Sequence, residues 1–264
     1  AGQSFSISGH GYNPEGAITH EDLPVRIEGA LRECLVAGAL CNDASLAHEG
    51  KHWKITGDPT EAALLVAARK GGLDEHTLRL LLPRNGELPF DSSRQYMASA
   101  HHADGEQMVY LKGALERLLP LCVDQLQANG QPGPLDAAAV EAIAQVYAEQ
   151  GQRVLLIARQ IFAPNTPLTA TGLQKLSLIG LVGMIDPPRK AAISAIRNCH
   201  SAGIRVKMIT GDHAVTALAI ARQIGLAGER AMTGRELASL DDEALSLAAH
   251  EIDVFARVEP EQKL

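Results

Sequence analysis

The sequence predicts an α/β protein built from two unlike parts, and three observations carry that prediction. Alternating runs at 96–100 and 108–111 flank Ala103-Asp104-Gly105, and Asp-Gly between such runs signals a hairpin. Residues 204–225 read as strand, sharp turn and small-residue helix, the repeating unit of a parallel sheet. Residues 178–185 form a second apolar strand running into a proline-led helix. The first ~180 residues therefore read as an antiparallel sheet flanked by helices, and the remainder as part of a parallel sheet.

The elements follow in order. Residues 25–40 read as a helix and 53–55 as a short strand. Asp58 caps a helix that runs to Arg69 and ends at Gly71-Gly72. Asp58 and Glu61 also have the spacing of a capping box, which explains both residues without any ligand. Residues 129–134 (NGQPGP) read as a loop, 136–150 as a helix closed by Gly151, and 153–159 as a strand. A Pro/Thr-rich connector occupies 163–172. After the strand at 178–185, Asp186 is a natural N-cap with proline at the first helical position. Ile193, Ile196 and Cys199 mark the face of that helix, which ends at Gly203. Val206, Met208 and Ile209 form the next strand, Thr210-Gly211-Asp212 turns the chain, and a helix over 214–224 closes at Gly225. Residues 254–263 read as a third strand that delivers Arg257 and Lys263. Strands and helices alternating over short loops imply a doubly wound parallel sheet with right-handed crossovers.

Composition narrows the function. The 264 residues suffice for two domains with separate cores, and 46% hydrophobic with 21% charged residues is ordinary for a globular protein. A net charge of −7, with no basic run, excludes a nucleic-acid surface. Cys34, Cys41, Cys122 and Cys199 have no metal-ligand spacing and read as buried, reduced thiols. No stretch approaches the roughly 20 apolar residues of a membrane helix.

Several residues invite chemistry. Thr210-Gly211-Asp212 places a hydroxyl, a glycine and a carboxylate at the carboxyl end of a parallel strand, where phosphate with magnesium binds in open α/β sheets. An ordinary turn with a helix cap has the same composition. Phe90 behind Pro89 suits a rigid stacking surface for a base, or a place in the core. Lys112 before Gly113 can reach phosphate oxygens where the backbone admits a ligand, or can be a solvated surface lysine.

The segments DPPRK (186–190), KMITGDH (207–213) and FARVEPEQK (255–263) resemble the phosphorylation domain of P-type cation-transporting ATPases. GDPTEAAL (57–64), LPFDSSRQYMAS (88–99), KGALERL (112–118) and GQRVLLIA (151–158) resemble the nucleotide-binding domain of the type II branch, which includes calcium and sodium/potassium pumps. FSISGHGYNPEG (5–16) is similar to the region following the phosphorylated aspartate of calcium pumps. The resemblance spans essentially the whole chain. It implies a nucleotide-binding domain over 1–183 and a partial phosphorylation domain, with a haloacid-dehalogenase-like parallel sheet, over 184–264. It implies ATP and Mg2+ as ligands, phosphoryl transfer to an aspartate, and a cation carried by membrane helices of a longer parent.

The resemblance assigns Glu61, Phe90, Gln95, Lys112, Gly113 and Arg153 to the nucleotide, Phe90 as the adenine platform and Glu61 near the adenine amino group. It surrounds the phosphoryl group with Thr210, Gly211, Asp212 and Lys263, and makes Asp186 and Arg189 a hinge from which Arg189 reaches the phosphates. The cysteine and histidine spacing marks no metal site in this sequence. Gln95 departs from the pattern, since calcium pumps of the sarcoplasmic reticulum type carry a lysine there. The D-K-T-G-T motif with the nucleophilic aspartate and the Gly-Asp-Gly-x-Asn-Asp segment are absent. The expectation is a soluble piece from the cytosolic face of a multi-pass membrane protein, touching the membrane only through its parent. Two alternatives belong to other classes. A stand-alone haloacid-dehalogenase-type phosphatase requires an Asp-x-Asp-x-Thr strand that the sequence lacks; a nucleotide-binding regulatory module requires no membrane parent.

Overall fold

The protein is described from a computed structural model, which covers residues 2–258 except 10, 51, 104, 186, 187, 213, 227 and 229. The chain divides into two compact units, Ala1–Glu141 with Leu155–Val182, and Ala142–Val154 with Gly183–Leu264.

The first unit begins with a small antiparallel sheet of β1 (Ser6–Ile7), β2 (Ile18–His20) and β3 (Leu23–Pro24). Helix α1 (Gly29–Leu40) starts later than the apolar pattern suggests, because Glu28 is extended (φ −144) and Gly29 left-handed (φ 55) where the helix would have to run through. The hairpin of β4 (Ser45–Glu49) and β5 (His52–Thr56) leads into α2 (Pro59–Lys70). Asp58 caps α2 by accepting from the Thr60 amide at 2.8 Å and the Glu61 amide at 3.2 Å. A short helix, α3 (Glu75–Leu81), follows.

The main sheet then begins with β6 (Arg84–Asp91), β7 (Tyr96–Ala103) and β8 (Glu106–Gly113), three antiparallel neighbours. After α4 (Leu115–Leu118) come β9 (Cys122–Leu126) and β10 (Pro132–Pro134), then α5 (Ala137–Glu149), β11 (Arg153–Phe162) and β12 (Leu176–Met184). The sheet has seven strands in the order β10-β9-β12-β11-β8-β7-β6. Strand alternation sorts its side chains into two cores. Met97, Tyr110 and Ile157 pack with Leu35, Leu40 and Leu65 of α1 and α2. Ala98, Val109, Leu111 and Leu156 pack with Leu118, Leu173 and Leu176.

Two sequence expectations change here. The strand expected at 178–185 does not belong to the parallel sheet that follows it in sequence. As β12 it joins the seven-stranded sheet, parallel to β9. An apolar run signals burial on both faces but does not name its partner. The loop expected at 129–134 contains β10, whose two prolines are tolerated because β10 is an edge strand.

The second unit contains α6 (Lys190–Ser201), β13 (Met208–Ile209), α7 (Ala214–Ile224), β14 (Ala231–Thr233), α8 (Gly234–Leu237), α9 (Asp242–Glu251) and β15 (Val254–Ala256). Its sheet is parallel, in the order β13-β15-β14. Ala217, Ala221, Leu226, Val254 and Ala256 form its buried centre. The strand expected over 254–263 ends at Ala256, since Arg257 turns to φ 50. All four cysteines are free, and burial pushes the Cys34 and Cys122 thiols up to about 12.

Candidate functional site

Lys112 lies near the middle of the seven-stranded sheet, directly opposite Met97 on β7 and Ile157 on β11. A lysine at such a position is desolvated, and this one is only 7% exposed. The surface-lysine reading is thereby excluded. Its Nζ donates to Glu61 Oε1 at 2.6 Å. The other carboxylate oxygen, Oε2, accepts from the Asp43 backbone N–H at 3.0 Å.

The capping-box reading of Glu61 is half made. Asp58 caps α2, but both Glu61 oxygens are directed to Lys112 and Asp43. A helix-start carboxylate is thus held against a sheet ammonium 51 residues away in sequence. In a partly desolvated setting such a pair is stable only when geometry and further hydrogen bonds are good, and here both oxygens are engaged.

Phe90 stands on β6, an edge strand, with 62% of its surface exposed. The core alternative for this residue is thereby excluded. It does not sit in a proline-fixed turn. A register shift between Leu88 and Asp91 sets three steps of β6 against two of β7. Counting back from Asp91, which pairs with Tyr96, alternation puts Phe90 on the face shared by Met97 and Lys112.

Gln95 closes the β6–β7 turn in a left-handed conformation (φ 61). Its amide donates to Asp91 O, its carbonyl accepts from the Ala114 amide at 2.9 Å, and its Oε1 accepts from Arg117 Nε at 3.2 Å. Arg94 reaches back to the Pro89 carbonyl at 2.7 Å and lies over the Tyr96 ring. Gly113 also has a packing reason to be glycine: a Cβ there would stand 2.6 Å from the Gln95 carbonyl oxygen and closer still to Tyr96 Cβ. Two cavities open in this unit. One of about 290 Å³ is lined by Leu40, Asn42, Asp43, Arg79, Arg84 and His101, the other of about 220 Å³ by residues around Gln107 and Thr166. Neither is lined by Phe90 or Lys112.

In the second unit, Thr210, Gly211 and Asp212 follow the carboxyl end of β13, where the parallel-sheet rule puts ligands. Thr210 Oγ1 donates to Asp212 Oδ2 at 2.9 Å and accepts from the Asp212 amide at 3.1 Å. Backbone bonds from Thr210 N to Phe255 O, Arg257 N to Asp212 O and Val258 N to Thr210 O tie this loop to the end of β15. Gly211 has no neighbour that a side chain would meet. Arg189 is exposed at the N-cap of α6 without a side-chain cap bond, and Arg153 opens β11. Asp186 and Lys263 lie outside the described residues. Among the described residues no group of three or more His, Cys, Asp or Glu could hold a metal, and no helix is long and apolar enough to cross a membrane.

Sequence reasoning missed the Asp43 amide and its neighbour Asn42. A backbone donor leaves no mark in a sequence, and Asn-Asp after a helix reads only as a turn.

Comparison with known proteins supplies the family. Residues 30–191 match the family described as P-type ATPase, cytoplasmic domain N. The cation-transporting ATPase pma1 of Synechocystis sp. is 44% identical over 275 residues, covering 100% of this chain and 30% of that protein. The probable cation-transporting ATPase F of Mycobacterium tuberculosis is 44% identical over 97% of this chain and 30% of its own length. The calcium-transporting ATPase of Bacillus subtilis is 36% identical over 100% of this chain, again 30% of its own. The chain thus spans less than a third of these relatives. The helix-flanked sheet, the match over most of the first unit and these relatives lead to one assignment: the chain belongs to the P-type ATPase cytoplasmic domain N family.

Proposed function

We propose that this chain binds ATP for a P-type pump of the type II, calcium-pump-like branch, with the nucleotide-binding domain over 1–183 and part of the phosphorylation domain over 184–264. The observation that carries the reading is the buried Lys112–Glu61 pair on the sheet face to which the β6 bulge turns the exposed Phe90. An aromatic ring offers adenine a stacking surface. Glu61 accepts from the base, and Lys112, Gln95 and Arg153 supply donors to the nucleotide, with Gly113 keeping β7 and β8 close beneath them. The fit for Mg2+ is to an ion carried by the phosphates, because such an ion needs one or two carboxylates rather than a protein cage. Asp212 is the described carboxylate at the strand end, with Thr210 and Gly211 beside it; the resemblance adds Lys263 to this set and makes Asp186 and Arg189 the hinge from which Arg189 reaches the phosphates. In the parent, phosphoryl transfer to an aspartate outside this chain is coupled to movement of a cation, calcium by the names of several relatives, through membrane helices on whose cytosolic side this region lies.

Binding to the isolated chain is weak, with Kd between ~10 μM and ~1 mM, because one stacking surface and a few charged contacts leave a small surplus over association costs. Isothermal calorimetry with ATP tests the assignment. Phe90→Ala loses most of the affinity, since base stacking contributes ~1–3 kcal/mol. Unchanged binding by that variant rejects the pocket.

A further inference from the structure

We infer that Asn42 is a positioning residue that sets the selectivity of Glu61 for an amino-bearing purine; the inference rests on the nucleotide reading above. Asn42 is 1% exposed. Its Nδ2 donates to Gly38 O in α1 and to Glu61 O in α2, both at 2.9 Å, and its Oδ1 accepts from the Ala44 amide at 2.9 Å. Its own carbonyl accepts from Arg79 at 3.1 Å and from Arg84 at 2.9 Å. One buried amide therefore ties together the end of α1, the first turn of α2 and the loop between α1 and β4.

The residue held inside that knot is Asp43, whose N–H is the donor to Glu61 Oε2. Lys112 holds the other oxygen. Both carboxylate oxygens are pinned, one by an ammonium on the sheet and one by an amide whose place depends on Asn42. Each oxygen retains acceptor capacity, and a carboxylate paired with an ammonium offers acceptors only. A carboxylate so fixed recognises a donor at one position and rejects an acceptor there. Adenine and hypoxanthine differ at that group, an amine in one and an oxo group in the other. Once the loop is loosened, the carboxylate turns away, so the bond to the amine weakens while the oxo base, which never had that bond, is little affected.

The test measures ATP and inosine triphosphate binding to the whole 264-residue chain by calorimetry, for the wild type, Asn42→Ala and Asn42→Asp. Asn42→Asp keeps the side-chain volume and the acceptor to Ala44 but loses the donors to Gly38 O and Glu61 O, whereas Asn42→Ala removes all three bonds without burying a charge. Thermal melts identify the folded variants. The wild type is expected to prefer ATP by about tenfold, or ~1.4 kcal/mol. In either folded variant the preference falls below about threefold through loss of ATP affinity, while inosine triphosphate binds within about twofold of wild type. A preserved ratio, or equal losses for both nucleotides, overturns the positioning role and leaves the pocket standing. Failure of the wild type to bind or to prefer ATP, or Phe90→Ala binding normally, rejects the pocket itself and the inference with it.

Discussion

Lys112 and Glu61 form a pair whose worth is best seen by breaking it. Their side chains are 8% and 15% exposed, so removing either leaves a charge with little water to replace its partner. Lys112→Met is expected to destabilise the chain by about 3 kcal/mol, whereas combining it with Glu61→Gln recovers most of that loss. Urea denaturation of the four members of the cycle checks this; additive losses would mean the two groups do not interact. His101 gives the pH dependence. It is 1% exposed, its Nδ1 is 3.0 Å from Leu82 O and its Nε2 is 2.8 Å from Ser99 Oγ. Burial lowers its pKa to about 4 from 6.5. Between those values the unfolded chain binds the proton and the folded one does not, so stability is full above pH 6.5 and is lost as pH falls toward 4. The loss reaches about 3 kcal/mol, because every tenfold weakening of proton affinity on folding is worth ~1.4 kcal/mol. His101→Gln should flatten the stability profile in that window; an unchanged slope would place the proton uptake elsewhere.

Two elements meet the site in ways that single substitutions expose. Asp58 caps α2 through two amides, so Asp58→Ala is expected to cost about 1 kcal/mol and to loosen the first turn that carries Glu61. Gly113 keeps β7 and β8 in close approach, and Gly113→Ala should cost about 1–3 kcal/mol by overpacking against Tyr96. Thermal melts check both, and a neutral Gly113→Ala would contradict so close an approach. Much of this level was legible in the sequence. The β7–β8 hairpin, the Asp58 cap and the strand–turn–helix around Thr210 are local, and local chemistry specifies them. The strand β6 was hidden because Pro89 and a bulge disguise its alternation. Of the two neighbours of β12, β9 was hidden because it lies some fifty residues upstream. The site was legible as separate residues, but the engagement of Glu61 by Lys112 depends on packing α2 across the sheet, which no spacing in the sequence states.

At the scale of the whole molecule, the phosphoryl role proposed for Thr210 and Asp212 stands in a sequence without a D-K-T-G-T motif to receive the group. Transfer needs a nucleophile in line with the γ-phosphate. Incubation with γ-labelled ATP and magnesium, followed by acid precipitation, should leave no label on this polypeptide. Stoichiometric labelling abolished by Asp212→Asn would instead favour a self-contained phosphotransferase.

The two margins of the seven-stranded sheet have a consequence for life in a crowded solution. A sheet margin normally offers a ladder of free donors to any passing chain, the first step toward fibrils. Here β10 ends in Pro132 and Pro134, and β6 carries Pro89 at its bulge with Arg84 and Glu87 further along. Each proline deletes a donor, and the bulge and charges spoil the flat register a second copy would need. The same bulge that turns Phe90 toward the face of Lys112 therefore also keeps that margin from recruiting its own kind.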